Sequence, residues 1–324
     1  MLKNSRPLSI LLGTTLVLLA AACGNAQPDG RSAGARSGQL SIVTAFYPLQ
    51  FVAERVGGQH GQVASLTQPG AEPHDLELTP RQVASVADSD LVIYERTFQA
   101  AVDEAVDQSG NPRILDVATA VPLQQLGAGH EDEADHDGEH ADDEAGPVDS
   151  GLDPHVWLDP QKMIIIANAV RDQLVSVDPA NATDYTANAA TLEAELSALD
   201  QAFVTGLAHC ARSEFVTQHA AFGYLAQRYG LTQIGISGLS SDSEPSPARV
   251  AAVQEEAKKH GVTTIFYETL VSPAVAKSIA GDLGLKTDVL DPIEGITPES
   301  RGSDYVAVMT ANLTALQAAN ACGP

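Results

Sequence analysis

The chain has 324 residues, 44% of them hydrophobic, and a formal net charge of −24. That length suits one large domain or two ordinary ones, and the apolar content is enough for a core. The acidity argues against a nucleic-acid partner, which needs a basic footprint, and favours attraction of cations.

Residues 1–22 have the pattern of an export signal. Lys3 and Arg6 give a positive start, and the apolar run from Leu8 to Leu19 is too short for a membrane span. The run ends Ala20-Ala21-Ala22-Cys23, small residues before a Cys, which resembles a bacterial lipoprotein signal with Cys23 as the lipid-modified residue. Plain secretion is the alternative. Residues 23–38, rich in Gly, Ala, Ser and Arg, fit a flexible tether. With Cys23 assigned, Cys210 and Cys322 remain. In an exported protein one disulfide is the expectation, and two free buried thiols the alternative.

From residue 39 onward, short β-rich runs alternate with helical segments. Strands are expected at 39–45, 63–66, 90–94 and 113–117, with helices at 50–56, 81–87 and 98–107. Thr79-Pro80 is a helix start, with Thr as N-cap and Pro at the first helical position. His74 falls in the loop between a strand and that helix, where open α/β sheets bind ligands. Residues 130–144 are the compositional outlier, with His130, His136 and His140 among nine acidic residues. They are expected to form a mobile surface loop, within 129–146, that captures metal loosely. Asp153-Pro154-His155-Val156-Trp157-Leu158-Asp159-Pro160 follows, holding the only Trp of the chain. Its prolines stiffen the segment that carries His155.

A helix is expected at 162–175, then one long helix of about 28 residues at 180–207, roughly 42 Å at 1.5 Å per residue. That length suits a rigid connector, so the chain divides into a lobe at 39–178, a linker at 179–207 and a second lobe at 208–324. The second lobe repeats the alternation, with strands at 214–217, 231–236, 263–267 and 287–290. His219 again follows a strand, and Asp291 closes the last one. The fold class is therefore α/β: two lobes with parallel sheets joined by one long helix. His74, His155, His219 and Asp291 occupy equivalent places, and their convergence in the cleft between lobes would give a tetrahedral N3O shell suited to Zn²⁺. His60, His209 and His260 carry no motif and are expected at the surface.

Three motifs then make the pattern specific. Pro73-His74-Asp75-Leu76-Glu77-Leu78-Thr79-Pro80, the 153–160 segment, and Gln218-His219-Ala220-Ala221-Phe222-Gly223-Tyr224 resemble the metal-binding lipoproteins of ABC importers, the zinc- and manganese-specific cluster A-I family. Similarity runs from about Ser41 to the C-terminus and includes Glu244-Pro245-Ser246-Pro247, Tyr305, Met309 and Asn312. The resemblance implies His74, His155 and His219 as ligands and Asp291 as the carboxylate, with water, Glu72 or Glu268 as alternatives in the fourth place. His219, where manganese members usually carry Glu, points to the zinc branch. The implied function is an extracytoplasmic receptor, monomeric and lipid-anchored on the outer face of the cytoplasmic membrane or periplasmic, that captures Zn²⁺ and passes it to the importer permease. Affinity is expected to fall below about pH 6, as imidazoles take up protons. A manganese receptor of the same fold is the runner-up. A zinc hydrolase is the enzyme alternative, but no His-Glu-x-x-His segment or general base supports it. Cell adhesion or metal buffering stays open as an added role.

Overall fold

The computed structural model describes residues 38–125, 151–241 and 243–323. The export signal, Cys23, and His130, His136 and His140 lie outside the described residues. Two four-stranded sheets organise the rest, and every strand pair in both is parallel.

The first sheet contains β1 (Leu40–Thr44), β2 (Gly61–Ser65), β3 (Leu91–Tyr94) and β4 (Ile114–Asp116), in the order β2-β1-β3-β4. Between the strands run α1 (Tyr47–Gly57), α2 (Pro80–Asp88) and α3 (Ala100–Ser109), followed by the one-turn α4 (Val117–Ala120). The expected start of α2 is present as a full capping box. Thr79 accepts from the Gln82 backbone and the Gln82 side chain reaches back to Thr79 N. Asp159 caps α5 (Pro160–Val177) by accepting from Gln161 N, with Pro160 in the first turn.

The long helix is α6 (Ala182–Leu207), 26 residues. It starts later than the sequence suggests because Pro179–Asn181 forms a separate 3-10 turn. The second sheet contains β5 (Glu214–Thr217), β6 (Thr232–Gly235), β7 (Thr264–Tyr267) and β8 (Lys286–Val289), interleaved with α7 (Gly223–Tyr229), α8 (Pro247–Lys259) and α9 (Ala274–Leu283). Its order, β6-β5-β7-β8, repeats that of the first sheet. The closing helix is α10 (Tyr305–Asn320). Helix α7 begins only at Gly223, because His219 and the residues after it form a turn that leads into the helix.

Adjacent residues of β5 face opposite sides, as strand geometry requires. Val216 enters a cluster with Ile234, Ile236, Val253, Ile265 and Ile279 on one face of its sheet. Phe215 faces the other way, into a cluster that holds Phe46, Trp157, Leu196, Phe203, Tyr224, Tyr305 and Leu316. That second cluster is continuous from the first sheet through α5 and α6 into the second lobe. Phe203 of α6 stacks on Tyr229 of α7 at 5.0 Å between centroids.

Cys210 and Cys322 form a disulfide, which ties the residues after α10 to the segment entering β5. The bridge lies at the amino end of β5 and His219 follows its carboxyl end, so the bridge and the histidine sit at opposite ends of the strand. The bridge closes a loop with a sequence separation of 112 residues. Chain entropy for a loop of that size gives roughly 4–5 kcal/mol, at the upper end of measured effects. A Cys210→Ser/Cys322→Ser variant should therefore melt well below the parent in calorimetry, while metal stoichiometry measured on the folded variant stays unchanged.

Candidate metal centre

Each sheet changes direction of winding beside its second-ranked strand, β1 or β5, and ligands of open α/β sheets bind at the carboxyl ends of strands near such points. His74 follows β2, His219 follows β5, and the residues after β8 complete the site from the second lobe. His155 comes from the stiff segment before α5. These elements bring His74, His155, His219 and Glu294 together, with one potential ligand atom from each inside a common 4.8 Å span.

Glu294 is the hub. Its Oε1 lies 3.4 Å from His74 Nε2, 3.3 Å from His155 Nε2 and 3.3 Å from His219 Nε2. His155 Nε2 and His219 Nε2 are 3.4 Å apart. A tetrahedral zinc ion with ligands at about 2.0–2.1 Å requires ligand-to-ligand edges of about 3.3–3.4 Å. These four edges therefore already have the length that zinc demands.

The far sides of two imidazoles are fixed by carboxylates. Asp153 Oδ1 accepts from His155 Nδ1 at 2.7 Å and also from His155 N at 2.9 Å. Glu268 Oε1 accepts from His219 Nδ1 at 2.7 Å. With Nδ1–H donated, Nε2 faces the centre: the neutral ring offers a lone pair there, the arrangement that orients histidine ligands, and the protonated ring donates from Nε2 to Glu294. Aromatic rings close the site. Phe98 meets the His74 ring edge-on at 4.7 Å, and Trp157 packs against His155 at 5.2 Å. Trp157 Nε1 donates to Pro292 O at 2.7 Å, and Tyr305 Oη donates to Trp157 O at 2.6 Å. The His155 segment is thereby bolted to the lobe that carries Glu294.

Burial and charge oppose each other here. His155, His219 and Glu294 are all at most 1% exposed. Burial pushes the Glu294 carboxyl up, but hydrogen bonds from His155, His219 and His74 outweigh it and hold it well below the usual carboxylate range. Burial opposes a charge on His219, yet Glu268 and Glu294 raise it well above the ordinary imidazole value. His155 is raised in the same way, chiefly by Asp153, against its own burial. Glu72 is pushed up to about 8 by burial and by the charge of Glu294.

The three histidines expected from the sequence meet. Asp291 does not join them, and this corrects the expected ligand set. Its Oδ1 accepts from Ile293 N at 2.8 Å, and its Oδ2 accepts from Thr269 and Ser300 hydroxyls at 3.1 and 3.0 Å. With both oxygens engaged, Asp291 braces a turn in which Ile293 takes φ of 60°. A β-branched residue rarely adopts that conformation, and here it swings the next residue, Glu294, into the centre. Of the alternatives to Asp291, Glu268 holds His219 from behind, and Glu72 accepts from His74 N at 3.2 Å. Glu294, the carboxylate that sequence reasoning missed, stands three places beyond Asp291 in Asp291-Pro292-Ile293-Glu294. Away from the site, His60 pairs with Asp184 and His260 lies between Glu214 and Glu256.

The profile of the family described as zinc-uptake complex component A, periplasmic, matches residues 42–319. The high-affinity zinc uptake system protein ZnuA of Bacillus subtilis is 36% identical over 305 residues, covering 93% of both chains. The zinc-binding lipoprotein AdcA of Streptococcus pneumoniae is 37% identical over 320 residues, 96% of this chain but only 60% of that protein. The chain thus spans about 60% of the length of the AdcA relatives it matches. Among solved structures, the Zn(II)-bound ZnuA-like domain of S. pneumoniae AdcA is 35% identical, with a TM-score of 0.71 over 87% of this chain and 99% of that one. The laminin-binding protein Lmb of Streptococcus agalactiae, described as a bifunctional adhesin and metal transporter, is 30% identical, with a TM-score of 0.74 over 86% and 99%.

Glu294→Gln keeps the shape of the carboxylate and removes its charge. Chelator-competition titration should show zinc affinity falling more than about 100-fold, beyond the cost of losing an outer partner. Asp291→Asn, which disturbs only the bracing of the turn, should cost about tenfold or less. Equal losses would return Asp291 to the ligand set.

Proposed function

Because the chain belongs to the zinc-uptake complex component A family, we propose that it is an extracytoplasmic receptor that binds Zn²⁺ through His74, His155, His219 and Glu294 and delivers it to an ABC-type importer. The observation that carries this reading is four edges of 3.3–3.4 Å, three from the buried Glu294 oxygen to the imidazole nitrogens and one between His155 and His219. Nitrogen-rich, tetrahedral coordination favours zinc over manganese, which prefers oxygen ligands. A hydrolytic zinc keeps a coordination position open for water. Here a fourth protein atom fills that position, which supports a transport cargo and a non-catalytic role. Cys23 would anchor the chain to the membrane, with residues 23–38 as the tether. The permease supplies the partner.

Capture works by exchange of protons for metal. Zinc needs deprotonated imidazoles. His155 and His219 are raised above the ordinary value of about 6.5, so protons compete with zinc at higher pH than for free imidazole. Affinity is complete above these raised values and falls as pH drops through them. The decline should therefore begin on the alkaline side of about pH 6.5, higher than the sequence alone suggests. Zinc titration at fixed intervals from pH 8.5 to 5.5 checks this, and a flat profile would contradict proton-coupled capture.

The decisive experiment is metal analysis of the purified full chain, followed by direct competition between Zn²⁺ and Mn²⁺. One tightly held zinc, lost in His155→Ala and in His219→Ala, is the expected result. Preference for manganese would overturn the assignment. In a chain lacking residues 129–145 the tight site should persist while total zinc stoichiometry drops, because the histidine-rich tract is proposed to bind loosely.

A further inference from the structure

The four ligands are not held alike. His155 and His219 each have a carboxylate on Nδ1, and Glu294 stands on a braced turn. For His74, among the described residues, no side chain accepts from Nδ1. Its side chain is also the most exposed of the four, at 11%. Something else has to keep this imidazole in place.

The turn between β3 and α3 supplies it. Thr97 there has φ of 75°. It is one of three non-glycine residues with positive φ among the described residues, and Ile293 beside Glu294 is another. Such strain persists only where the surroundings over-determine it, and it gathers at functional sites. Here Arg96 N donates to Asp116 Oδ1 at 3.1 Å and Thr97 N donates to Asp103 Oδ2 at 2.9 Å, pinning the turn from both sides. Two residues leave this turn toward His74. Phe98 lies edge-on against its ring. Gln99, 1% exposed, donates from Nε2 to Pro73 O at 3.0 Å and to Thr67 Oγ1 at 3.0 Å.

The chemistry of this clamp is specific. Pro73 O can only accept. Thr67 spends its hydroxyl hydrogen on Ala45 O at 2.8 Å, so toward Gln99 it also accepts. Only a side chain with two N–H groups on one nitrogen serves both, which fixes the orientation of the Gln99 amide. Gln99 itself is rooted in α3, whose first amides, Val102 N and Asp103 N, donate to its carbonyl. The grip falls on the peptide immediately before His74.

We propose that Gln99 is the positioning residue for His74, setting how long this ligand stays on the metal and hence the rate at which zinc leaves. The inference rests on the assignment of His74 as a ligand. Gln99 acts through the backbone and does not touch the ion.

The test compares wild-type full-length chain, Gln99→Met, Thr67→Val and His74→Ala. Zn²⁺ dissociation is followed by stopped-flow transfer to an excess chelator, and coordination by the visible spectrum of the Co²⁺-loaded protein. Gln99→Met keeps the volume and removes both donated bonds. It should speed zinc release roughly tenfold, the lower range for loss of an outer partner, and move the Co²⁺ spectrum part of the way toward that of His74→Ala. Thr67→Val leaves the bond to Pro73 O and should shift both readouts in the same direction by less. If His74→Ala alters release and spectrum but Gln99→Met matches wild type in both, the inference is overturned even if Gln99→Met melts earlier. If His74→Ala itself leaves both readouts unchanged, the ligand assignment fails instead. Should Gln99→Met not fold, Thr67→Val decides: unchanged release and spectrum there would also overturn the inference.

Discussion

A carboxylate with no exposure to water cannot stay ionised unless something replaces its hydration, a deficit of several kcal/mol in real proteins. Glu294 is 0% exposed, and three imidazole edges supply the replacement. Much of the remaining architecture serves that requirement. Two sheets of the same strand order present their carboxyl ends to one point. Asp153 and Glu268 turn two rings so that Nε2 faces the hub, and Trp157 and Tyr305 hold the contributing segments together. A divalent ion held here as proposed would meet one charged ligand and three neutral ones, backed by two further carboxylates.

Much of this was legible in the chain. Alternating short apolar runs and helical segments indicated parallel sheets, and a helix near 180–207 was visible from its length and its Ala, Leu and Glu content. The histidines were found because each stands just after a strand or on a proline-stiffened segment. The carboxylate was misplaced for a physical reason. Asp291 ends a strand, as the rule for such sites asks, but the backbone continues through a left-handed Ile293 that no propensity would assign to a β-branched residue. A turn braced by an aspartate whose other partners are the hydroxyls of Thr269 and Ser300, remote in sequence, leaves no local pattern. The Gln99 clamp was invisible for the same reason, since it joins residues from two separate loops, the one after β2 and the one after β3.

The two strained turns are worth comparing. Ile293 precedes Glu294, and Thr97 precedes Phe98 and Gln99, which lie against His74 and the peptide before it. Each is restrained by carboxylates, Asp291 in one case and Asp116 and Asp103 in the other. Acidic residues in this protein thus act within the scaffold as acceptors for backbone amides, as well as giving the surface its charge.

The continuous hydrophobic cluster has a further bearing on the proposed transport role. Phe203, Tyr224, Tyr305 and Leu316 belong to the same packed body as Phe46 and Trp157. Swinging one lobe away from the other would expose that body to water, at about 25 cal/mol for every Å² uncovered. Wide clamshell opening is therefore disfavoured by the molecule's own interior. A partner of the proposed receptor that must tell a metal-bound chain from a metal-free one would have to sense a local change at the rim, in loop position or in charge, and not a change in overall outline.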